Sequence, residues 1–174
     1  MDLNDKRAWC DQYGEGVESA FCVGRMYELG VTSYMNLDKR QNKYTHDMYS
    51  VFPSDLKTVR TPFFKAQEKY GIDPQYAVTI NFKDVARYKE LYPNIIVIFD
   101  VLWDEANCKK VIDGREYEVE PMHKTYAGFI QNIRSAVISC GNKKVEYQGR
   151  VNDTAGNAKV SYVFDVRKLQ LLGE

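Results

Sequence analysis

A continuous apolar run, Ile95-Ile96-Val97-Ile98-Phe99, constrains the fold of this chain more than any other feature. Strands buried on one face alternate apolar and polar residues, whereas such a run is typical of a strand covered on both faces. We predict this strand over 94–103, after an amphipathic helix over 82–92 that Pro93 closes. Sheet, helix and buried strand in succession predict a layered α/β or α+β fold, with a central mixed β-sheet flanked by helices.

The rest of the chain adds further strands and helices to this layer. Apolar residues at helical spacing, followed by Gly30, predict a first helix over 17–29. The remaining predicted elements are strands over 31–37, 44–52, 55–61 and 75–81, a helix over 63–70, a hairpin over 109–119 around Asp113-Gly114, a helix over 125–140, and strands over 145–150 and 159–172 that a loop at 152–157 joins. No linker or repeat divides the chain, so its 174 residues predict a single domain, 1–174.

Composition argues against several classes of protein. The 24 basic residues balance the 24 acidic ones, which argues against a protein that coats nucleic acid through bulk charge. With no secretory segment and no apolar run of about 18 residues, we expect a cytoplasmic protein without a membrane partner. The four cysteines lack C-x-x-C spacing and the chain has two histidines, so we expect reduced thiols and no structural zinc.

The candidate site lies in the segment 46–62, which reads HDMYSVFPSDLKTVRTP. Asp47 precedes a short apolar strand, and Asp55 and Lys57 are spaced so that a strand puts them on one face. Clustered carboxylates suit a hard cation such as Mg²⁺, and a nearby lysine can orient a water or stabilise charge on a phosphate. Taken alone, the two aspartates are equally typical of turns.

The order of these residues resembles the PD-(D/E)XK nuclease superfamily, which has the restriction-endonuclease-like fold. In that family a helix with a glutamate precedes the site, and the predicted first helix carries Glu18. His46-Asp47 stands where the family has Pro-Asp, and Asp55-Leu56-Lys57 matches the (D/E)XK half. The resemblance covers residues 14–103 as the core and leaves 104–174 as a C-terminal helix and strands.

The resemblance implies a metal-dependent nuclease that hydrolyses phosphodiester bonds of DNA. Glu18, Asp47 and Asp55 would bind Mg²⁺, for which Mn²⁺ substitutes, and Lys57 would be the catalytic lysine. Basic residues outnumber acids between 36 and 69, and we expect Lys43, Arg60 and Lys65 to bind the nucleic acid. Cleavage of both strands at a twofold site would favour a homodimer.

Two other classes of function remain open. The first is a catalytically inactive nuclease-fold module that binds nucleic acid or a host protein, such as a phage or mobile-element protein that blocks a host defence. The second is an interaction domain in which the D-x-K pattern is coincidental. Magnesium-dependent cleavage separates the nuclease from both alternatives, and salt-sensitive binding separates nucleic-acid binding from protein binding.

Overall fold

The computed structural model describes residues 14–28, 32–42, 44–50, 52–147 and 159–173. The chain divides into two compact units, Met1–Leu56 and Lys57–Glu174, and the boundary falls inside a strand. The predicted α+β class, with a mixed central sheet and helices, is confirmed in this coarse form. Within the described ranges, every helix is too short or too polar to span a bilayer. The restriction-endonuclease-like core and the single domain stay predictions.

The first unit begins with a helical segment that confirms the predicted first helix as far as Glu28. Its parts are α1 (Glu15–Ala20), a π-helical turn (Phe21–Arg25) and α2 (Met26–Glu28). A π turn has wider hydrogen-bond spacing than an α-helix, so it changes which side chains face inward beyond it. Phe21 and Met26 are buried, whereas Val23 of the π turn is 75% exposed.

Short strands complete the first unit. They are β1 (Tyr34–Met35), β2 (Met48–Tyr49) and the first part of β3 (Pro53–Val59), with a 3₁₀ turn (Leu37–Arg40) after β1. The strands pair antiparallel in the order β1-β2-β3. The predicted strands over 31–37 and 44–52 are too long. The side chain of Asn36 accepts a hydrogen bond from Asp38 N at 3.2 Å, which starts the 3₁₀ turn and ends β1.

The second unit contains the remaining strands and helices. They are α3 (Ala66–Tyr70), β4 (Ala77–Asn81), α4 (Phe82–Leu91), β5 (Ile96–Trp103), β6 (Lys109–Ile112), β7 (Arg115–Glu118), β8 (Met122–Phe129), α5 (Ile130–Ser139), β9 (Lys144–Glu146), β10 (Val160–Asp165) and β11 (Gln170–Gly173). The strand orders in this unit are β3-β5-β8-β11, β4-β10-β9 and β6-β7.

Strand β5 is buried on both faces, as its apolar run predicts. Val97 and Phe99 are 0% exposed and belong to a core cluster that includes residues of α4, α5 and β10. Ile98 and Asp100 extend from the opposite face and are 2% and 3% exposed. The predicted helix before β5 is confirmed as α4.

The predicted helix over 125–140 is wrong in its first five residues, where the chain forms β8, and is confirmed from residue 130 onward as α5. This strand pairs antiparallel with β5 along its whole length, from Phe129 opposite Ile96 to Met122 opposite Trp103. The hydrogen bonds of β8 to β5 stabilise a strand here, and they outweigh the weaker preference for a helix that the spacing of the apolar residues indicates. The predicted hairpin is confirmed as β6–β7, where Asp113 and Gly114 have positive φ, as a type I′ turn requires. The predicted loop over 152–157 lies outside the described residues.

Candidate functional site

Two of the predicted site residues meet at a lysine in the first unit. The Lys39 ammonium donates to Glu18 Oε1 at 2.9 Å and also forms an ion pair with Asp47 Oδ1. Glu18 lies on α1, Lys39 on the 3₁₀ turn and Asp47 directly before β2. The three side chains are 18%, 28% and 9% exposed, so the ion pairs are partly shielded from water. The structure therefore brings Glu18 and Asp47 within reach of a single cation.

The backbone around Asp47 fixes its carboxylate. Its second oxygen, Oδ2, accepts a hydrogen bond from Leu56 N of β3 at 3.2 Å. Asn36 N donates to the carbonyl of Asp47 at 2.9 Å, and the Asn36 side chain donates to the carbonyl of His46, also at 2.9 Å. One carboxylate oxygen thus binds the strand that carries Asp55, and the other binds Lys39.

Asp55 lies on β3 and is 4% exposed. It is close enough to His46 to influence that imidazole: burial lowers the pKa of His46, while the charges of Asp38 and Asp55 raise it and Lys39 lowers it further. His46 is itself 7% exposed and packs edge-on against Tyr49 with ring centroids 4.5 Å apart. Charged groups from the 3₁₀ turn and β3 therefore influence the pKa of one buried imidazole.

Glu18, Asp47 and Asp55, the three predicted metal ligands, do not form a preformed metal site. Among the described residues, no group of three or more His, Cys, Asp or Glu side chains is placed to hold a metal ion. The first unit instead holds a pair of carboxylates with Lys39 between them, and Asp55 on the neighbouring strand. The roles of Glu18, Asp47 and Asp55 as metal ligands stay predictions.

Lys57 follows Asp55 on β3 and belongs to the second unit. Its ammonium binds Asp84 Oδ2 of α4 at 3.0 Å and lies 3.4 Å from the hydroxyl of Tyr88. Asp84 also pairs with Arg87 at 3.2 Å. The side chain of Lys57 is 26% exposed, so it is partly buried. Sequence reasoning did not identify Asp84, because its contact with Lys57 links positions far apart in the chain.

Two of the residues predicted to bind nucleic acid already have acidic partners. Arg60 binds the carboxylate of Asp100, and Lys65 binds Asp113 in the turn of the β6–β7 hairpin. The hydrogen bond to Asp113 raises the pKa of Lys65. Lys43 lies outside the described residues. The role of all three in binding nucleic acid stays a prediction.

Lys39, like Asp84, could not be identified from the sequence, where it is one of several basic residues near the site. Its neighbourhood in the sequence, Asp38-Lys39-Arg40, gives no sign of a contact with Glu18. Comparison with known proteins adds no assignment: no family model, no curated protein and no solved structure matches this chain.

Proposed function

We propose that this protein is a Mg²⁺-dependent nuclease that hydrolyses phosphodiester bonds of DNA, and that Mn²⁺ can replace Mg²⁺. The convergence of Glu18 and Asp47 on one cation, the Lys39 ammonium, carries the proposal. Two carboxylates that share a positive charge are suited to a hard divalent cation, which prefers oxygen ligands. Asp55, on the strand next to β2, would add a third carboxylate.

Lys39 would leave when a metal ion binds. Its side chain is 28% exposed, and its flexible stem allows the ammonium to move into water. Without a cation the charges of Glu18 and Asp47 would repel each other, which disfavours keeping both ionised. Lys39 is therefore suited to holding the two carboxylates in place until a divalent cation replaces it.

The proposed site supplies groups for two parts of the hydrolysis, the activation of the water and the stabilisation of charge on the phosphate. A divalent cation at Glu18 and Asp47 would polarise a phosphoryl oxygen and acidify a bound water. Lys57 would orient the attacking water or offset charge on the phosphate, after releasing Asp84. The attacking water would lose a proton to solvent and its oxygen would bond to phosphorus, while the bond from phosphorus to the leaving sugar oxygen breaks and that oxygen takes up a proton from a second water.

A catalytically inactive nuclease-fold module that binds nucleic acid or a host protein is the second candidate. Lys39 favours it, because an ammonium that stays between Glu18 and Asp47 compensates both acids without a metal. The pair formed by Lys57 and Asp84 is consistent with this alternative too. The two candidates differ in whether a divalent cation displaces Lys39.

Calorimetric titration with Mn²⁺ separates the two candidates. We expect saturable binding by the wild type, tighter binding by Lys39→Met because the competing ammonium is gone, and loss of binding in Asp47→Asn. Lys109→Met is the matched control, since it removes an exposed lysine that pairs with Glu118 in the second unit. If Lys39→Met binds Mn²⁺ and the wild type does not, the inactive module is favoured. If neither the wild type nor Lys39→Met binds Mn²⁺, the nuclease proposal is overturned.

Cleavage assays on plasmid, linear duplex and single-stranded DNA then test the individual roles. Asp55→Asn should abolish cleavage. Glu18→Gln should weaken it about 10–100-fold, the range expected for a carboxylate that reaches the metal through a bound water. Lys57→Ala should keep its Mn²⁺ affinity and lose turnover. Glu28→Gln, which changes an exposed acid on α2, is the control and should cleave like the wild type.

A further inference from the structure

In the second unit, the buried carboxylate of Asp100 on β5 contacts three polar side chains, those of Arg60, His123 and Thr125. Asp100 is 3% exposed, and a carboxylate is strongly unfavourable to bury unless it is paired and hydrogen-bonded. The pairing of β5 with β8 places two of its partners: Thr125 lies opposite Asp100, and His123 lies opposite Leu102. Alternation along the strands puts these side chains on one face of the sheet.

Arg60, which directly follows β3, donates two hydrogen bonds to Asp100. Nη2 donates to Asp100 Oδ2 at 2.6 Å, and Nη1 donates to the backbone carbonyl of Asp100 at 2.7 Å. These two bonds fix the plane of the guanidinium. The side chain is still 41% exposed, and its Nε makes no hydrogen bond to any described residue. Arg60 is thus held rigidly while it keeps donor capacity for another ligand.

His123 is held by the other oxygen of the same carboxylate. Its Nε2 lies 2.9 Å from Asp100 Oδ1, and the Thr125 hydroxyl donates to that oxygen at 3.2 Å. A carboxylate beside one ring nitrogen fixes the orientation of an imidazole and places the proton on that nitrogen. The side chain of His123 is 44% exposed, and within the described part of the chain its Nδ1 makes no hydrogen bond. One edge of the ring is therefore anchored, and the other nitrogen is available.

Asp100 does not need all of these partners. Arg60 and Thr125 already donate to its two carboxylate oxygens, so His123 exceeds what burial of the carboxylate requires. A guanidinium and a protonated imidazole that are fixed by one carboxylate and remain partly exposed offer planar N–H donors to an anion, because both ring nitrogens of a protonated histidine carry a hydrogen. We propose that Arg60 and His123 bind a phosphate group and that Asp100 holds both side chains in position.

The ligand is a phosphate, either as inorganic phosphate or a monoester, or as the phosphodiester backbone of a nucleic acid. Arginine suits both sources because its fork matches the oxygens of a phosphate. Arg60 was predicted from the sequence to bind nucleic acid, but the site uses none of the metal-binding and catalytic residues proposed for the nuclease, namely Glu18, Asp47, Asp55 and Lys57. It therefore goes beyond the proposed function and does not depend on it.

Nuclear magnetic resonance of the imidazole nitrogens tests this site directly. The chain has two histidines, so the variant His46→Gln assigns the signals of His123. The full-length protein is titrated with inorganic phosphate and, separately, with a short oligothymidylate that lacks terminal phosphates. We expect saturable shifts of the His123 signals while those of His46 stay unchanged. Shifts with inorganic phosphate alone identify a free or monoester phosphate, and shifts with the oligonucleotide identify the nucleic-acid backbone; either result supports the site.

Variants of Arg60 complete the test. We expect Arg60→Met to weaken phosphate binding about tenfold or more, the size of one charge-assisted hydrogen bond. Arg115→Met is the matched control, because it removes a 77% exposed arginine from the β6–β7 hairpin, and it should bind like the wild type. Arg60→Lys keeps the positive charge without the planar fork and should also weaken binding, which covers the case in which Arg60→Met does not fold. The site is refuted if neither probe shifts His123, or if the Arg60 variants that fold bind as tightly as the wild type.

Discussion

His46 is a buried titratable residue between oppositely charged groups of the first unit. Burial is the largest influence and lowers the pKa of its imidazole, against the opposing charges of Asp38 and Asp55. The folded protein therefore favours the neutral ring. The unfolded chain, in which a histidine titrates near pH 6.5, takes up a proton first as the pH falls. The stability that this difference supplies is present above about pH 6.5 and is lost as the pH falls through the lower folded pKa.

We predict that the free energy of unfolding of the wild type decreases on acidification below about pH 6.5 and that His46→Gln shows a smaller decrease. Urea unfolding at a series of pH values measures both, and the imidazole resonances of His46 give its folded pKa. A folded pKa at or above the ordinary histidine value would contradict the prediction.

Single residues also show where sequence reasoning is weakest. The carboxylates of Glu18 and Asp47 could be selected from the sequence, because a motif and a resemblance mark them. Lys39 and Asp84, the residues that bind predicted site residues, could not be selected. Their contacts join positions that only the folded chain brings together, and a charged residue without a motif is normally a solvated surface residue. The sequence therefore identifies candidate site residues but not the oppositely charged residues that pair with them.

At the scale of elements, β5 determines how the second unit is built, since both of its faces are buried and β8 pairs with its full length. We predict that Ile98→Ala costs about 2–5 kcal/mol of unfolding free energy, as expected for a large-to-small change at a fully buried position. Chemical denaturation measures the cost. Val111→Ala on β6 is the control, since this valine is 69% exposed, and its effect should stay within about 0.5 kcal/mol. A cost below about 1 kcal/mol for Ile98→Ala would mean that β5 is not a core strand.

Elements whose own residues determine them were predicted well, and elements that depend on distant partners were not. Strand β5 and helix α4 followed from local apolar patterns, and the β6–β7 turn followed from Asp113-Gly114. In contrast, Tyr126 and Phe129 fit a helical spacing equally well, and only the pairing of β8 with β5 decides for a strand. The π-helical turn at Phe21–Arg25 was also beyond prediction, because its hydrogen-bond spacing has no separate sequence signature.

At the scale of the whole molecule, the two units differ in how much apolar surface they bury. The second unit has one large core cluster, which draws on β5, β8, α4 and α5. The buried apolar residues described in the first unit form a shorter list: Phe21, Cys22, Met26, Met48 and Leu56. Local stability follows the density of buried apolar contacts, so the units should differ in how readily they open.

We therefore predict slower amide hydrogen exchange in β5 and β8 than in the helical segment formed by α1, the π turn and α2. Hydrogen–deuterium exchange followed by mass spectrometry of peptic peptides measures it, with exposed β6 as the fast-exchanging reference. Equal or slower exchange in the helical segment would mean that the first unit is as stable as the second.

The β6–β7 hairpin has a consequence for how molecules of this protein behave toward one another. It forms a two-stranded sheet in the described structure, and exposed strand edges can pair with a neighbouring molecule. The chain has a formal net charge of zero, so general electrostatic repulsion between copies is weak. The hairpin, however, carries charged side chains along both strands, including the pair formed by Lys109 and Glu118 at 2.7 Å. Stacking of one hairpin edge on another would strip water from these charges, so they protect concentrated solutions against aggregation where net charge does not.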